Sequence, residues 1–208
     1  FNIKPNLNIG LFESIIYGGD TSGANSFDIN YMNPIIFYRA VESNLGSGGN
    51  ALIGMNLKWN FLNHFSLYGQ GLLDEFKFVH IKAQDGWWAN KYAGQIGLKY
   101  IDIASIKGLD AQIETNAARP FTYSHSRKSS SYSHFNQSLA HPLGANFNEI
   151  IAILRYQPTY NLNITAKYFY IKQGLDTEDD NYGSNVLLPN RTRVVHNAEG
   201  TCLLYTSP

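Results

Sequence analysis

Charge is scarce in this chain: charged residues make up 15% of it, against roughly 25% in an ordinary soluble domain. Sixteen basic residues balance sixteen acidic ones, so the net charge is zero. That excludes a nucleic-acid binder working by phosphate neutralisation, which would be basic. Cysteine occurs once, so no internal disulfide framework exists. No apolar run approaches the roughly 18 residues of a spanning helix, which excludes helical membrane anchoring but not crossing by strands. Enzyme signatures are missing too: there is no G-x-S-x-G, no H-E-x-x-H and no P-loop, so no catalytic residue and no cofactor is expected.

What replaces charge is uncharged polarity, with 22 Asn, and aromatic residues at 14%. At 44% apolar content the chain is not a disordered tail. The opening residues, Lys4-Pro5-Asn6-Leu7-Asn8-Ile9, look like mid-protein sequence. The last seven, Cys202 to Pro208, look like one frame of a sequencing adapter and are set apart as an artefact, leaving 1–201 as the expected domain. Both ends are therefore expected to be cuts in a longer chain.

Alternation of period two runs along most of it. In residues 109–118, Leu109, Ala111, Ile113, Thr115 and Ala117 oppose Asp110, Gln112, Glu114 and Asn116, as in a strand with two unlike faces. The same holds for Leu7, Ile9, Leu11 and Ile15; for Ile53, Met55, Leu57 and Trp59, with Leu52 as an exception; for Phe65, Leu67 and Leu73; for Tyr92, Ile96, Leu98 and Tyr100; and for Leu162, Ile164, Ala166, Tyr168 and Tyr170. In 148–157 the pattern is less clean, because Ile151 and Ile153 share a face with Glu149 and Arg155.

A soluble sandwich also alternates. Three features favour a membrane barrel. The strands run to about ten to twelve residues, the length that crosses a bilayer when tilted. Short turns near 61–64, 103–108 and 158–161 alternate with long connections over 18–49, 78–90, 119–147 and 175–190, the asymmetry of outer-membrane barrels. Aromatic residues gather at both strand ends: Trp59, Tyr100, Tyr156 and Tyr160 near the turns, Tyr17, Trp87, Trp88 and Tyr92 near the loops. The expected fold is all-β, an antiparallel up-and-down transmembrane β-barrel present as about seven or eight strands of a larger barrel, the eighth near 191–199. Lys58, Lys99, Asp110, Glu114, Arg155 and Lys167 fall on its inner face, either plugging the lumen with salt bridges and hydrogen bonds or lining an ion pathway.

Residues 27–42 break the alternation, and beyond Pro34 their spacing predicts a short helix within the first long loop. His125, His134 and His141 lack the partners of a zinc site. The run Asp176 to Gly183 is oxygen-rich but lacks EF-hand spacing. No metal is expected.

Several strings carry a resemblance: Phe27-Asp28-Ile29-Asn30-Tyr31-Met32-Asn33-Pro34-Ile35; Leu67-Tyr68-Gly69-Gln70 with Asp74-Glu75-Phe76; Gly86-Trp87-Trp88-Ala89-Asn90-Lys91; Glu114-Thr115-Asn116 with Arg119-Pro120-Phe121-Thr122-Tyr123; and Leu139-Ala140-His141-Pro142-Leu143-Gly144-Ala145-Asn146-Phe147. In this order, over about residues 2–188, the chain resembles the Wzi-type capsule-assembly barrels of the outer membrane, in particular the RemB-like, gliding-motility-associated branch of Bacteroidota. The resemblance implies a barrel of about eighteen strands whose extracellular loops help hold or assemble surface polysaccharide. It carries over no catalytic motif.

The loops themselves suit sugars, which bind through aromatic platforms and planar polar groups. The candidate glycan-facing set is Trp87, Trp88 and Asn90 with Arg119, Tyr123 and Asp74, placed at the long-loop mouth by strand connectivity. The competing arrangement has one Trp anchored in lipid and the other packed under 27–42. The expected partners are outer-membrane lipid, a surface polysaccharide and other outer-membrane proteins. A diffusion channel or transporter, and a scaffold for a motility or secretion complex, stand as alternative functions.

Overall fold

A computed structural model of the chain describes residues 2–16, 50–74 and 88–193. The helix expected at 27–42, Tyr17, Trp87 and the adapter-like tail at 202–208 lie outside them. The fold is all-β. One antiparallel sheet of eight strands runs in the order β1 (Asn2–Lys4), β2 (Leu7–Ile16), β3 (Asn50–Phe61), β4 (Phe65–Leu73), β5 (Tyr92–Tyr100), β6 (Leu109–Ala118), β9 (Phe147–Thr159) and β10 (Leu162–Gln173). A two-residue-per-strand hairpin, β7 (Ser133–His134) with β8 (Gln137–Ser138), stands apart in the loop between β6 and β9. Every long strand pairs with its neighbour in sequence, as a meander does, and β1 and β10 form the two edges of an open sheet.

Residues directly opposite in antiparallel strands share a face. The row Leu11–Met55–Gly71–Gly94–Ala117 continues to Asn148, and the row Leu7–Trp59–Leu67–Leu98–Ile113–Ala152–Tyr168 lies below it. Apart from Asn148 these are apolar or glycine positions, and they make an apolar face that Glu13, Asn148 and Lys172 interrupt only at the loop end. Ile113 stays 55% exposed on it, Ile96 54%, Ile164 52% and Tyr168 63%. The opposite face carries Asn8, Asn56, Lys58, Tyr68, Gln95, Lys99, Asp110, Gln112, Glu114, Asn116, Glu149, Arg155 and Lys167. Strand β9 obeys the alternation after all: Ile150, Ala152, Leu154 and Tyr156 join the apolar face. Ile151 and Ile153 sit on the polar face, so β9 is apolar on both sides.

The turns at 62–64, 101–108 and 160–161 lie at one end of the sheet, and the loops over 119–146 and 174–193 lie at the other. At the turn end an aromatic ladder crosses three strands on the apolar face. Trp59, Phe61, Phe65 and Tyr100 follow one another at ring separations of 4.6, 5.5 and 4.4 Å. Tyr160 projects from its turn 93% exposed.

The eighth strand of the described sheet is β1. Of the strand expected near 191–199, only 191–193 lie among the described residues; Asn190–Thr192 form a 3-10 turn and Arg193 makes a single parallel bridge to Asn181. The reason is local. The Asp176 carboxylate accepts the backbone N–H groups of Tyr182 (2.6 Å), Ser184 (3.3 Å) and Asn185 (2.6 Å), winding 176–185 into a compact loop. Pro189, which has no N–H, then leads into the 3-10 turn. Residues 194–199 lie outside the described ones.

The buried core does not lie within the sheet but on its polar face at the loop end. Leu52, Ala118 and Phe147 are polar-face positions, and Tyr123, Ala145 and Val186 of the two long loops pack on them, flanked by Ile16, Leu72, Ala93, Tyr132, Leu143 and Leu187. This explains Leu52, the exception in the pattern of β3: it is fully buried under the loops.

Candidate functional site

The long-loop end gathers most of the residues expected to face a glycan. The Asp74 carboxylate, just past β4, accepts the backbone N–H of Tyr123 at 2.8 Å. Arg119, just past β6, donates through Nη1 to the Asn90 carbonyl at 3.0 Å, and its guanidinium lies 5.3 Å from the Tyr92 ring centre. Trp88 lies edge-on to Phe121 at 5.8 Å, with the Arg193 guanidinium stacked on it at 3.9 Å and Lys91 Nζ at 5.6 Å. Tyr123 stacks on Tyr132, their ring centres 5.9 Å apart. Asp74, Trp88, Asn90, Arg119 and Tyr123 thus meet in one packed hub where β4, β5 and β6 leave the sheet.

Exposure divides them. Asn90 is 2% exposed and Tyr123 5%, so both are interior residues of the loop layer, while Asp74, Trp88 and Arg119 are half-buried and keep part of their surface. Burial raises the Tyr123 phenol above its ordinary value, and the nearby Asp74 carboxylate and Tyr132 add to this. Tyr123 is therefore a neutral hydroxyl throughout the physiological range. Trp88 belongs to the loop layer instead of the aromatic row at the strand ends, because Arg193 and Phe121 hold it there. Trp87 lies outside the described residues.

Alternation in sequence does not point to the side chains that hold this hub. Lys91 is fully buried and donates to the Ser124 carbonyl at 2.8 Å. Asn190 donates to the same carbonyl at 3.3 Å, and Asn146 bridges Gly174 and Tyr182 at 3.2 and 3.1 Å. Asn50, at the start of β3, reaches Ser130 at 3.3 Å. Gly183 has φ +81°, and a Cβ there would run into the Phe121 backbone, so glycine is required where the loops touch. The available sequence signal was weak, an Asn close after a glycine at Gly49-Asn50 and Gly144-Ala145-Asn146.

The three histidines go separate ways. His141 Nε2 lies 3.2 Å from Glu149 Oε2, and its ring stacks on Phe147. His125 Nδ1 accepts the Arg127 N–H, and His134 meets the exposed Phe135 edge-on. Among the described residues no three His, Cys, Asp or Glu side chains converge as metal ligands.

A second constellation crosses the polar face below the hub. Tyr68 donates to Glu114 Oε2 at 2.5 Å and accepts from Gln112 at 2.7 Å. Gln95 and Asn116 donate to Glu114 Oε1, both at 3.0 Å, and Asn116 also donates to Glu149 at 2.9 Å. Arg155 closes the chain by donating to Gln112 at 3.3 Å. This network ties β4, β5, β6 and β9 together by hydrogen bonds between side chains. It contains no Lys or Arg bonded to a carboxylate. Comparison with protein-family models, with curated proteins and with solved structures finds no match for this chain.

Proposed function

We propose that the chain is part of the wall of an outer-membrane β-barrel, with its turns periplasmic and its long loops extracellular. We further propose that it serves in the attachment or assembly of a surface polysaccharide, as the Wzi-type, RemB-like resemblance implies. The observation that carries the barrel is the exposed apolar face. Each fully buried Ile, Leu or Phe side chain is worth about 1.5–3 kcal/mol relative to exposure. A face holding Met55, Trp59, Ile96, Ile113, Leu154, Ile164 and Tyr168 at 40% exposure or more must therefore be covered. Lipid covers such a face without a second sheet, and a closed barrel satisfies the backbone of the edge strands. The aromatic ladder at the turn end suits a headgroup belt.

For the polysaccharide, the support is the loop hub. Trp88 and Arg119 keep surface at the mouth beside Asp74, an apolar ring with planar polar neighbours. The loops cover the polar face at this end, which favours a binding or assembly role over a free diffusion channel. The test uses the full-length gene. Its deletion should strip polysaccharide from the cell surface, and Trp87→Ala with Trp88→Ala should reduce retention while the barrel still assembles. Full retention in both variants, in normally assembled protein, would count against the glycan site. Recovery of the protein from a soluble fraction would overturn the barrel.

A further inference from the structure

The polar face holds more positive charge than its own carboxylates use. Three of its strand positions are acidic, and each is already bonded to other groups. Glu114 takes Tyr68, Gln95 and Asn116; Glu149 takes Asn116 and His141; Asp110 takes the backbone N–H of Asp102 at 3.0 Å. Four are basic: Lys58, Lys99, Arg155 and Lys167. Among the described residues none of the four forms an ion pair, even though Arg155 stands directly opposite Asp110. Arg155 is spent on the neutral Gln112, and the Lys99 ammonium lies 5.3 Å from the Tyr68 ring centre. Lys58, Lys99 and Lys167 are exposed.

Their arrangement follows from register. Lys99, Gln112, Ile153 and Lys167 form one row across β5, β6, β9 and β10, with Arg155 two residues nearer the turns. Lys58 pairs with Tyr68, which pairs with Gly97, two residues nearer the loops than Lys99. At about 4.8 Å per strand, Lys99 and Lys167 stand roughly 14 Å apart, and the set from β3 to β10 spans about 24 Å. One small anion cannot reach all four. A chain with repeating negative charge can, lying across the strands past Gln112 and Ile153.

We infer that Lys58, Lys99, Arg155 and Lys167 form a binding track for an acidic polysaccharide on the polar face, in the half not covered by the loops. This rests on the barrel and polysaccharide reading and adds the class of glycan and its place, on the turn side of the loop layer. Four cations against three carboxylates leave this face with one positive charge in excess, and a polyanion gains from each cation that is not held in an ion pair.

The test measures binding of polygalacturonate, and of uncharged dextran as control, to the purified full-length protein. The Lys58→Gln, Lys99→Gln, Lys167→Gln variant should bind polygalacturonate about tenfold or more weakly, with dextran binding unchanged. The matching triple Lys→Arg variant should keep it, and added salt should weaken the wild-type interaction. Equal polygalacturonate binding by wild type and the Gln variant would overturn the track alone, as would loss in the Arg variant as great as in the Gln variant. Wild-type binding of dextran without polygalacturonate would overturn the acidic class while leaving the glycan reading intact. Binding of neither would overturn both.

Discussion

The ring of Tyr68 on β4 lies across Gly97 on β5, in the space that a Cβ at position 97 would occupy, and its hydroxyl reaches past it to Glu114 on β6. Phe12 covers Gly54 in the same way between β2 and β3. In each pair a glycine is covered by a cross-strand aromatic, which shields exposed backbone and pins register.

Gly97→Ala should therefore displace the Tyr68 ring and loosen its bond to Glu114, costing about 1–3 kcal/mol. Gly71→Ala, where a Cβ meets open space, should be neutral or slightly stabilising. Thermal unfolding of the two variants in detergent micelles checks the contrast, and equal midpoints would refute the packing role of Tyr68.

Tyr68→Phe keeps the ring over Gly97 but removes the hydroxyl. Glu114 then retains Gln95 and Asn116, and Gln112 loses an acceptor. The expected cost is about 1–2 kcal/mol. A double-mutant cycle with Glu114→Gln should give a coupling well above zero; additivity would show that the bond contributes nothing.

Ile113 lies near the middle of β6 on the apolar face, and Gln112 beside it faces the other way. If lipid covers that face, Ile113→Lys should cost about 2–4 kcal/mol of folding in bilayers. Gln112→Lys should cost much less there. Folding into vesicles, followed by gel mobility with and without heating, separates the two.

Asp74→Ala leaves the buried Tyr123 N–H without the acceptor seen here, an expected loss of about 1–3 kcal/mol confined to the loop layer. Limited proteolysis should then cut within 119–146 sooner, while the sheet stays protected. Simultaneous loss of strand protection would show that the hub also holds the sheet.

Alkaline pH should act on the same layer. The folded-state pKa of Tyr123 is raised, so the stability it contributes is complete below its unfolded value near 10 and falls as pH rises beyond that. Ultraviolet titration should show late phenol ionisation accompanied by opening of the loops, and Tyr123→Phe should lower the late amplitude by one tyrosine and uncouple it from that opening. Normal titration of every tyrosine would contradict the burial of Tyr123.

Period-two alternation was enough to locate the strands and to assign their faces, because the pleat leaves each side chain only two directions. Even β9, with Ile151 and Ile153 among its polar-face residues, keeps the register that its neighbours impose. Connection lengths likewise placed 119–146 and the turn at 62–64 at opposite ends, since antiparallel neighbours permit nothing else. Of the strand expected near 191–199 only 191–193 lie among the described residues, and they do not join the sheet; alternation there says nothing of an Asp176 carboxylate that winds the preceding loop.

Composition and alternation by themselves determined an all-β chain with one apolar and one polar face, since both follow from covalent geometry and local side-chain chemistry. They also brought Asp74, Trp88, Asn90, Arg119 and Tyr123 to one end. Only the tertiary structure decided that Asn90 and Tyr123 are interior there, because burial depends on two loops folding back over Leu52, Ala118 and Phe147. It decided, too, that the carboxylates of the polar face bond to hydroxyl, amide, imidazole and backbone donors while Lys58, Lys99, Arg155 and Lys167 do not pair with them. Which charge meets which partner depends on cross-strand register and side-chain reach, and neither is written in the order of residues along one strand.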